Sequence, residues 1–183
     1  MTSRGVSGAP RSEPMDPKDR LPAEWPVFDP RAILRRLTEA GVDYVVIGGV
    51  AVIAQGYVRT TRDLDIAFAE DPANLEALGR VLTELSARLR GVDDEIPFTA
   101  DARTLAGVQL LTLETSLGWL NVHKLVPGVA RYADLRRRAT SVSFDGLPVR
   151  IASIDDLLMM KRAAGRDIDS SDIAALEAIK RRS

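Results

Sequence analysis

The chain has no cysteine among its 183 residues, which excludes disulfides and thiolate-held metals. Aromatic residues are few (four Phe, three Tyr, two Trp), and that argues against a platform for stacking the bases of a single strand. An excess of one charge is missing too. The 25 Lys and Arg stand against 26 Asp and Glu, so no global basic field draws in nucleic acid, and any such contact has to be local. No apolar run approaches the roughly 20 residues of a membrane span. The N-terminus lacks a basic-then-apolar signal segment, so a cytoplasmic location is the expectation. What is present is 45% apolar residues, enough for the core of one domain at this length.

Residues 1 to 27 are rich in Pro, Ser, Gly and charge, with almost no periodic apolar positions. Such a segment buries too little surface to offset its ordering entropy. It reads as a disordered leader whose end docks through Trp25 and Phe28, and residues 28–183 read as a single domain. Asp29-Pro30 opens a helix with Ile33, Leu34 and Leu37 inward, closed by Gly41. Tyr44 to Ile47 predicts a buried strand, Val50 to Gln55 a short helix, and Leu64 to Phe68 a second strand. From Asp71-Pro72 a helical period runs through Leu75, Leu78, Val81, Leu82, Leu85 and Leu89. An acidic loop, Gly91 to Asp101, precedes two strands, Val108 to Leu113 and Gly118 to Val126, that turn at Thr115-Ser116. A basic helix, Tyr132 to Ala139, leads to a hairpin around Asp145-Gly146. Ser153, with Asp156 three residues on, caps a helix through Ala163, and Asp172 to Lys180 forms the last one. Helices and strands interleave with hairpins in the middle, which predicts an α/β (α+β) fold with a mixed central sheet flanked by helices.

The chemistry concentrates in the stretch VVIGGVAVIAQGYVRTTRDLDIA, which opens at Val45. Asp63 and Asp65, at i and i+2 on a strand, point to the same face. Like charges so close call for a cation between them, and hard oxygen donors suit Mg²⁺. Gly48-Gly49 upstream permits close approach of backbone to a ligand, and a helix start there offers N–H groups to phosphate. A phosphate cradle beside a carboxylate-held metal is a site for nucleoside triphosphate chemistry. The glycine pair is also what a tight strand-to-helix turn needs on its own account. Arg59 and Arg62 flank the acids, either as phosphate contacts or as structural partners of carboxylates.

The order Gly48-Gly49, Thr61, Asp63, Asp65 resembles the first motif of the nucleotidyltransferase (polymerase-beta-like) superfamily. The stretch MKRAAGRDIDSSDIAAL, which contains Lys161, Arg166, Asp169 and Asp172, resembles the second motif of its AbiEii/AbiGii toxin-type branch. LETSLGWLNVHK, residues 113 to 124, sits where that branch has its central hairpin. The resemblance covers about residues 30 to 180. It implies that Asp63 and Asp65 hold Mg²⁺ or Mn²⁺ and that Gly48, Gly49 and Thr61 contact the nucleotide. Lys161 would neutralise the triphosphate with help from Arg166, while Asp169 and Asp172 orient both cations. The implied reaction moves a nucleoside monophosphate from a nucleoside triphosphate to a hydroxyl of an RNA or tRNA end, a protein or a small molecule. Toxin–antitoxin members of the branch imply a cognate toxin or antitoxin partner.

One position departs from the pattern. Asn121 stands where the superfamily carries a third carboxylate. An amide can lend an oxygen to a metal but cannot accept a proton near neutral pH. Loss of a general base commonly removes about 10²- to 10⁴-fold in rate. His123, on the same strand face, is one substitute, and Asp101 and Glu114 are others. The same departure leaves open a second class, a member that binds nucleotide or a partner without turnover. Arg136, Arg137 and Arg138, with Arg131, form the one local basic patch, either a solvated helix face or a contact for RNA backbone.

Overall fold

The structure is a computed structural model that describes residues 27–91 and 98–182. Residues 1–26 of the expected leader, Trp25 among them, and the middle of the acidic loop after Gly91 lie outside the described residues.

Asp29 caps α1 (Pro30–Glu39) by accepting the Ala32 N–H at 3.0 Å, with proline entering the first turn. β1 (Tyr44–Ile47) is buried along its whole length. The chain turns at once into α2 (Gly48–Ala54), and β2 (Asp63–Phe68) then pairs antiparallel with β1. Along β2, Leu64 and Ile66 are buried, whereas Asp63 and Asp65 are half-buried, so the alternation separates core from site. α3 (Pro72–Glu84) is capped by Asp71 and pinned by the buried Asn74. Asn74 accepts the Asp43 N–H at 2.7 Å and donates to the carbonyls of Asp43 (3.1 Å) and Ala69 (2.8 Å). One side chain thus ties the helix to the residues before β1 and after β2.

β3 (Arg88–Leu89), α4 (Ala102–Gly107), β4 (Leu110–Thr115) and β5 (Gly118–His123) follow. The chain ends with α5 (Tyr132–Arg138), β6 (Thr140–Phe144), β7 (Leu147–Ile151), α6 (Ile154–Ala164), a 3₁₀ turn at Asp167–Asp169 and α7 (Ser170–Lys180). The seven strands form one mixed sheet in the order β3-β4-β5-β2-β1-β7-β6. β2 lies in its middle, antiparallel to β1 and parallel to β5. α2 packs on β2 and α6, and α6 packs on α7, which stacks the two motif-bearing regions against each other.

The helix expected to run to Leu89 stops at Glu84. Ser86 takes a left-handed conformation (φ 53°), with Ser86 N–H bonded to Thr83 O and Ala87 N–H to Leu82 O. This is a Schellman ending. It carries serine where glycine would have announced it, and Arg88–Leu89 is then free to pair with β4. The strand expected from Val108 begins at Leu110, because Asp101 caps the unanticipated α4 and Val108 closes it. Among the described residues no helix is long and apolar enough to cross a membrane.

Asn74→Ala removes three hydrogen bonds and leaves backbone groups of Asp43 and Ala69 short of partners. A loss of about 1–3 kcal/mol in urea unfolding at unchanged m-value is expected. A change within about 0.5 kcal/mol would show that Asn74 does not pin α3.

Candidate active site

The parallel register between β2 and β5 sets Asp65 opposite Asn121 and Asp63 opposite Trp119. Asn121 Nδ2 donates to Asp63 Oδ2 at 3.0 Å and to Asp65 Oδ1 at 2.9 Å. His123 Nε2 lies 3.3 Å from the same Asp65 oxygen, and the Thr61 hydroxyl donates to Asp63 Oδ1 at 3.2 Å. The two carboxylates therefore converge on a single amide nitrogen. Asn121 Oδ1 is buried with no hydrogen-bond partner among the described residues. A buried polar atom without a partner is costly, on the order of 1–3 kcal/mol.

The glycine pair is required by these acids before any ligand is considered. Gly48 has φ +63°, and a Cβ there would run into the Asp65 carboxylate. A Cβ on Gly49 would lie 2.6 Å from Thr61 Oγ1 and 3.6 Å from Arg59 Cζ. The space read from sequence as room for a ligand is taken first by Asp65 and Thr61. Both glycines nonetheless line the cleft beside them.

A buried ion web stands next to the pair. Lys161 reaches Asp169 at 2.8 Å and Asp172 at 2.6 Å, and Arg166 reaches Asp169 at 2.8 Å. Arg59, from the segment before β2, closes on Asp172. Burial by itself would raise the Asp169 carboxyl, but the hydrogen bonds from Arg166 and Lys161 outweigh it and hold the group below the usual carboxylate range. Arg166 is pushed up by its hydrogen bond to Asp169, and it also feels Asp65 and Asp63, which places it within the field of the pair.

These groups line one cleft of about 670 Å³. Gly48, Gly49, Thr61, Asp63, Asp65, Asn121, His123, Lys161 and Arg166 all meet there, joined by Arg59 and by Arg90, whose guanidinium lies 4.8 Å from the Trp119 ring. Neither of the other substitute acids reaches it. Asp101 caps α4 through Thr104, and Glu114 pairs with Arg88. Each arginine of the basic patch has an aspartate partner, and four cations meet three carboxylates. Arg136 binds Asp43, Arg138 binds the fully buried Asp156, and Arg131 and Arg137 share Asp134. Sequence reasoning offered Arg59 only as one of two flanking arginines; its partner lies 113 residues away, beyond any local signal.

Among the described residues no three His, Cys, Asp or Glu side chains group as a metal site. The donor chemistry still fits a hard divalent cation. One nitrogen touches both carboxylates, so one small cation can do the same, and the Asn121 oxygen becomes a third hard donor when the amide turns over to face them.

Solved structures share this architecture. The lincosamide antibiotic adenylyltransferase LnuA aligns with a TM-score of 0.58 at 16% identity, over 84% of this chain and 98% of its own. The antibiotic-resistance factor ANT(2'')-Ia aligns with a TM-score of 0.51 at 17% identity, over 80% of this chain and 78% of its own. The fold is that of the nucleotidyltransferases. More narrowly, residues 31–183 match the family model described as "Nucleotidyltransferase of unknown function (DUF6036)", and the chain belongs to that family, a family of transferases. No curated protein matches it closely enough to count as a relative.

Two outcomes test the geometry. Asn121→Asp sets a third carboxylate against two others, so the melting temperature in chelator should fall, and added Mg²⁺ should raise it by more than in the wild type. Equal Mg²⁺ responses would show that the three side chains do not share a cation. A carboxyl held low in the folded state stabilises above its unfolded pKa of about 3.9 and stops doing so as pH falls through the folded value. The stability gap between wild type and Asp169→Asn should therefore narrow below about pH 4, as read by thermal melts from neutral to acid pH. A gap that stays constant would mean that Asp169 is not held low.

Proposed function

We propose that the chain transfers a nucleoside monophosphate from a nucleoside triphosphate to a hydroxyl acceptor, and that residues 28–183 act as the single transferase domain. The observation that carries this reading is the convergence of Asp63 and Asp65 on one point, inside a cleft that also holds Lys161 and Arg166. Asp63 and Asp65, joined by the Asn121 oxygen once the amide turns over, would hold Mg²⁺ or Mn²⁺, which supplies charge neutralisation at the reacting phosphate. Lys161 and Arg166 bind the triphosphate, and the backbone of Gly48 and Gly49 with the Thr61 hydroxyl borders it. The acceptor oxygen forms its bond to the α-phosphorus as the bond to the β-phosphate bridge breaks, and pyrophosphate leaves. Asn121 cannot take the acceptor's proton and Asp169 is held by Lys161 and Arg166, which leaves Asp63, Asp65 and His123 as the cleft groups able to receive it.

A small molecule is the favoured acceptor. LnuA, described as a lincosamide antibiotic adenylyltransferase, and ANT(2'')-Ia, described as an antibiotic-resistance factor, share the fold. In the arginine patch that would grip an RNA or tRNA backbone, Arg136 and Arg138 are each committed to an aspartate, and Arg131 and Arg137 share a third. Placement in the AbiEii-type branch rests on Lys161, Arg166, Asp169 and Asp172. With that placement would come a cognate toxin or antitoxin partner, while the cytoplasmic location rests on the N-terminus lacking a signal segment.

The test is transfer from each nucleoside triphosphate labelled at the α-phosphate, with Mg²⁺ or Mn²⁺, into small-molecule, RNA and protein fractions. Label is expected in the small-molecule fraction, and Asp63→Asn should lower it by at least about 10²-fold. Label in RNA or protein would reassign the acceptor. Absence of label everywhere, with nucleotide binding retained, would make the chain a binding member of its family.

A further inference from the structure

Three cations and two carboxylates alternate along the cleft: Arg59, Asp172, Lys161, Asp169, Arg166. Both carboxylates are inside the protein, Asp172 at 2% and Asp169 at 3% exposure. The row carries one formal positive charge in excess and ends at each side in an arginine. Arg166 is the end that feels Asp63 and Asp65. Arg59 is the other end, and it lies against the glycine pair, its Cζ 3.6 Å from the point where a Gly49 Cβ would stand.

Arg59 is not placed like an ordinary surface ion pair. Its side chain is 27% exposed and lines the cleft, and its carboxylate partner is buried. Nε donates to Thr60 O at 3.1 Å and one terminal nitrogen donates to Asp172, which engages two of the five guanidinium N–H groups. The planar fork is thus held at two points with donors to spare, beside Gly49 and Thr61. A fixed fork is what bidentate recognition of phosphate oxygens needs, and a guanidinium already oriented loses less entropy on binding.

We propose that Arg59 is a triphosphate-binding residue, positioned for that task by Asp172. The inference rests on the nucleotidyltransferase reading of the cleft and adds a cation from the segment before β2 to the Lys161 and Arg166 of the C-terminal region. Because Asp172 belongs to α7, phosphate at Arg59 also steadies the seat of that helix.

The experiment is calorimetric titration of the full chain with inorganic tripolyphosphate at constant Mg²⁺, a probe that needs neither a base nor an acceptor. Arg59→Gln should weaken binding about 10- to 100-fold, the range of a charge-assisted hydrogen-bonded contact. Arg59→Lys keeps the charge and loses the fork, and should bind several-fold more weakly than wild type with little change in the ligand-free melting temperature. Asp172→Asn keeps Arg59 but releases it, and should also weaken binding. Arg136→Gln, which breaks a pair with Asp43 outside the cleft, should bind as wild type does. Wild-type affinity in both Arg59 variants would overturn the inference while leaving the nucleotidyltransferase reading intact. Wild-type affinity in Asp172→Asn would overturn the positioning role. A wild-type protein that does not bind tripolyphosphate would overturn the inference and the reading of the cleft together.

Discussion

Two carboxylates on one face of the middle strand of a seven-stranded sheet set the terms for the rest of the molecule. Asp63 and Asp65 are half-buried, so their mutual repulsion is weakly screened and has to be met by donors brought in from elsewhere. β5 meets it with the Asn121 amide, because the parallel register puts that residue directly across from Asp65. The Thr61 hydroxyl meets it from the same segment, and the glycines after β1 give up their side chains so that Asp65 and Thr61 have room. A change at any of these positions would be felt at the others.

Farther from the acid pair, a row of alternating charges is held together in the same way. Lys161 is nearly buried, and an isolated ammonium there would be costly; Asp169 and Asp172 make its position tolerable. Those two carboxylates are themselves buried and lean on Arg166 and Arg59 in turn. The web links the segment before β2 with α6, the 3₁₀ turn and α7. It therefore joins the two regions that bear the motifs, and the packing of α2 on α6 reinforces the joint. On the proposed function, stability and binding chemistry would use the same atoms here, as where charged groups are assembled in advance to receive a charged ligand.

Asn121 changes the character of the acid pair. A third carboxylate would have added charge, whereas an amide contributes a donor to both neighbours and keeps an oxygen in reserve. The cleft's proton-accepting capacity shifts to the acids and to His123, which stands at hydrogen-bonding distance from Asp65.

Several patterns whose cause was local were legible in the chain. Asp29-Pro30, Asp71-Pro72 and Ser153 announced their helices because capping is decided within a turn. The alternation from Asp63 to Ile66 announced a strand with acids on one face, and the motif order pointed to a nucleotidyltransferase fold. The end of α3 was hidden because Ser86 adopts the left-handed conformation in glycine's place. The partners of the α5 arginines were not legible, because Asp43 and Asp156, which hold Arg136 and Arg138, come from distant elements. Only tertiary structure could set Asn121 between two carboxylates, or bring Arg59 to Asp172. Sequence patterning registers neighbours three or four residues apart, whereas ion pairing between elements depends on how the sheet and its helices close.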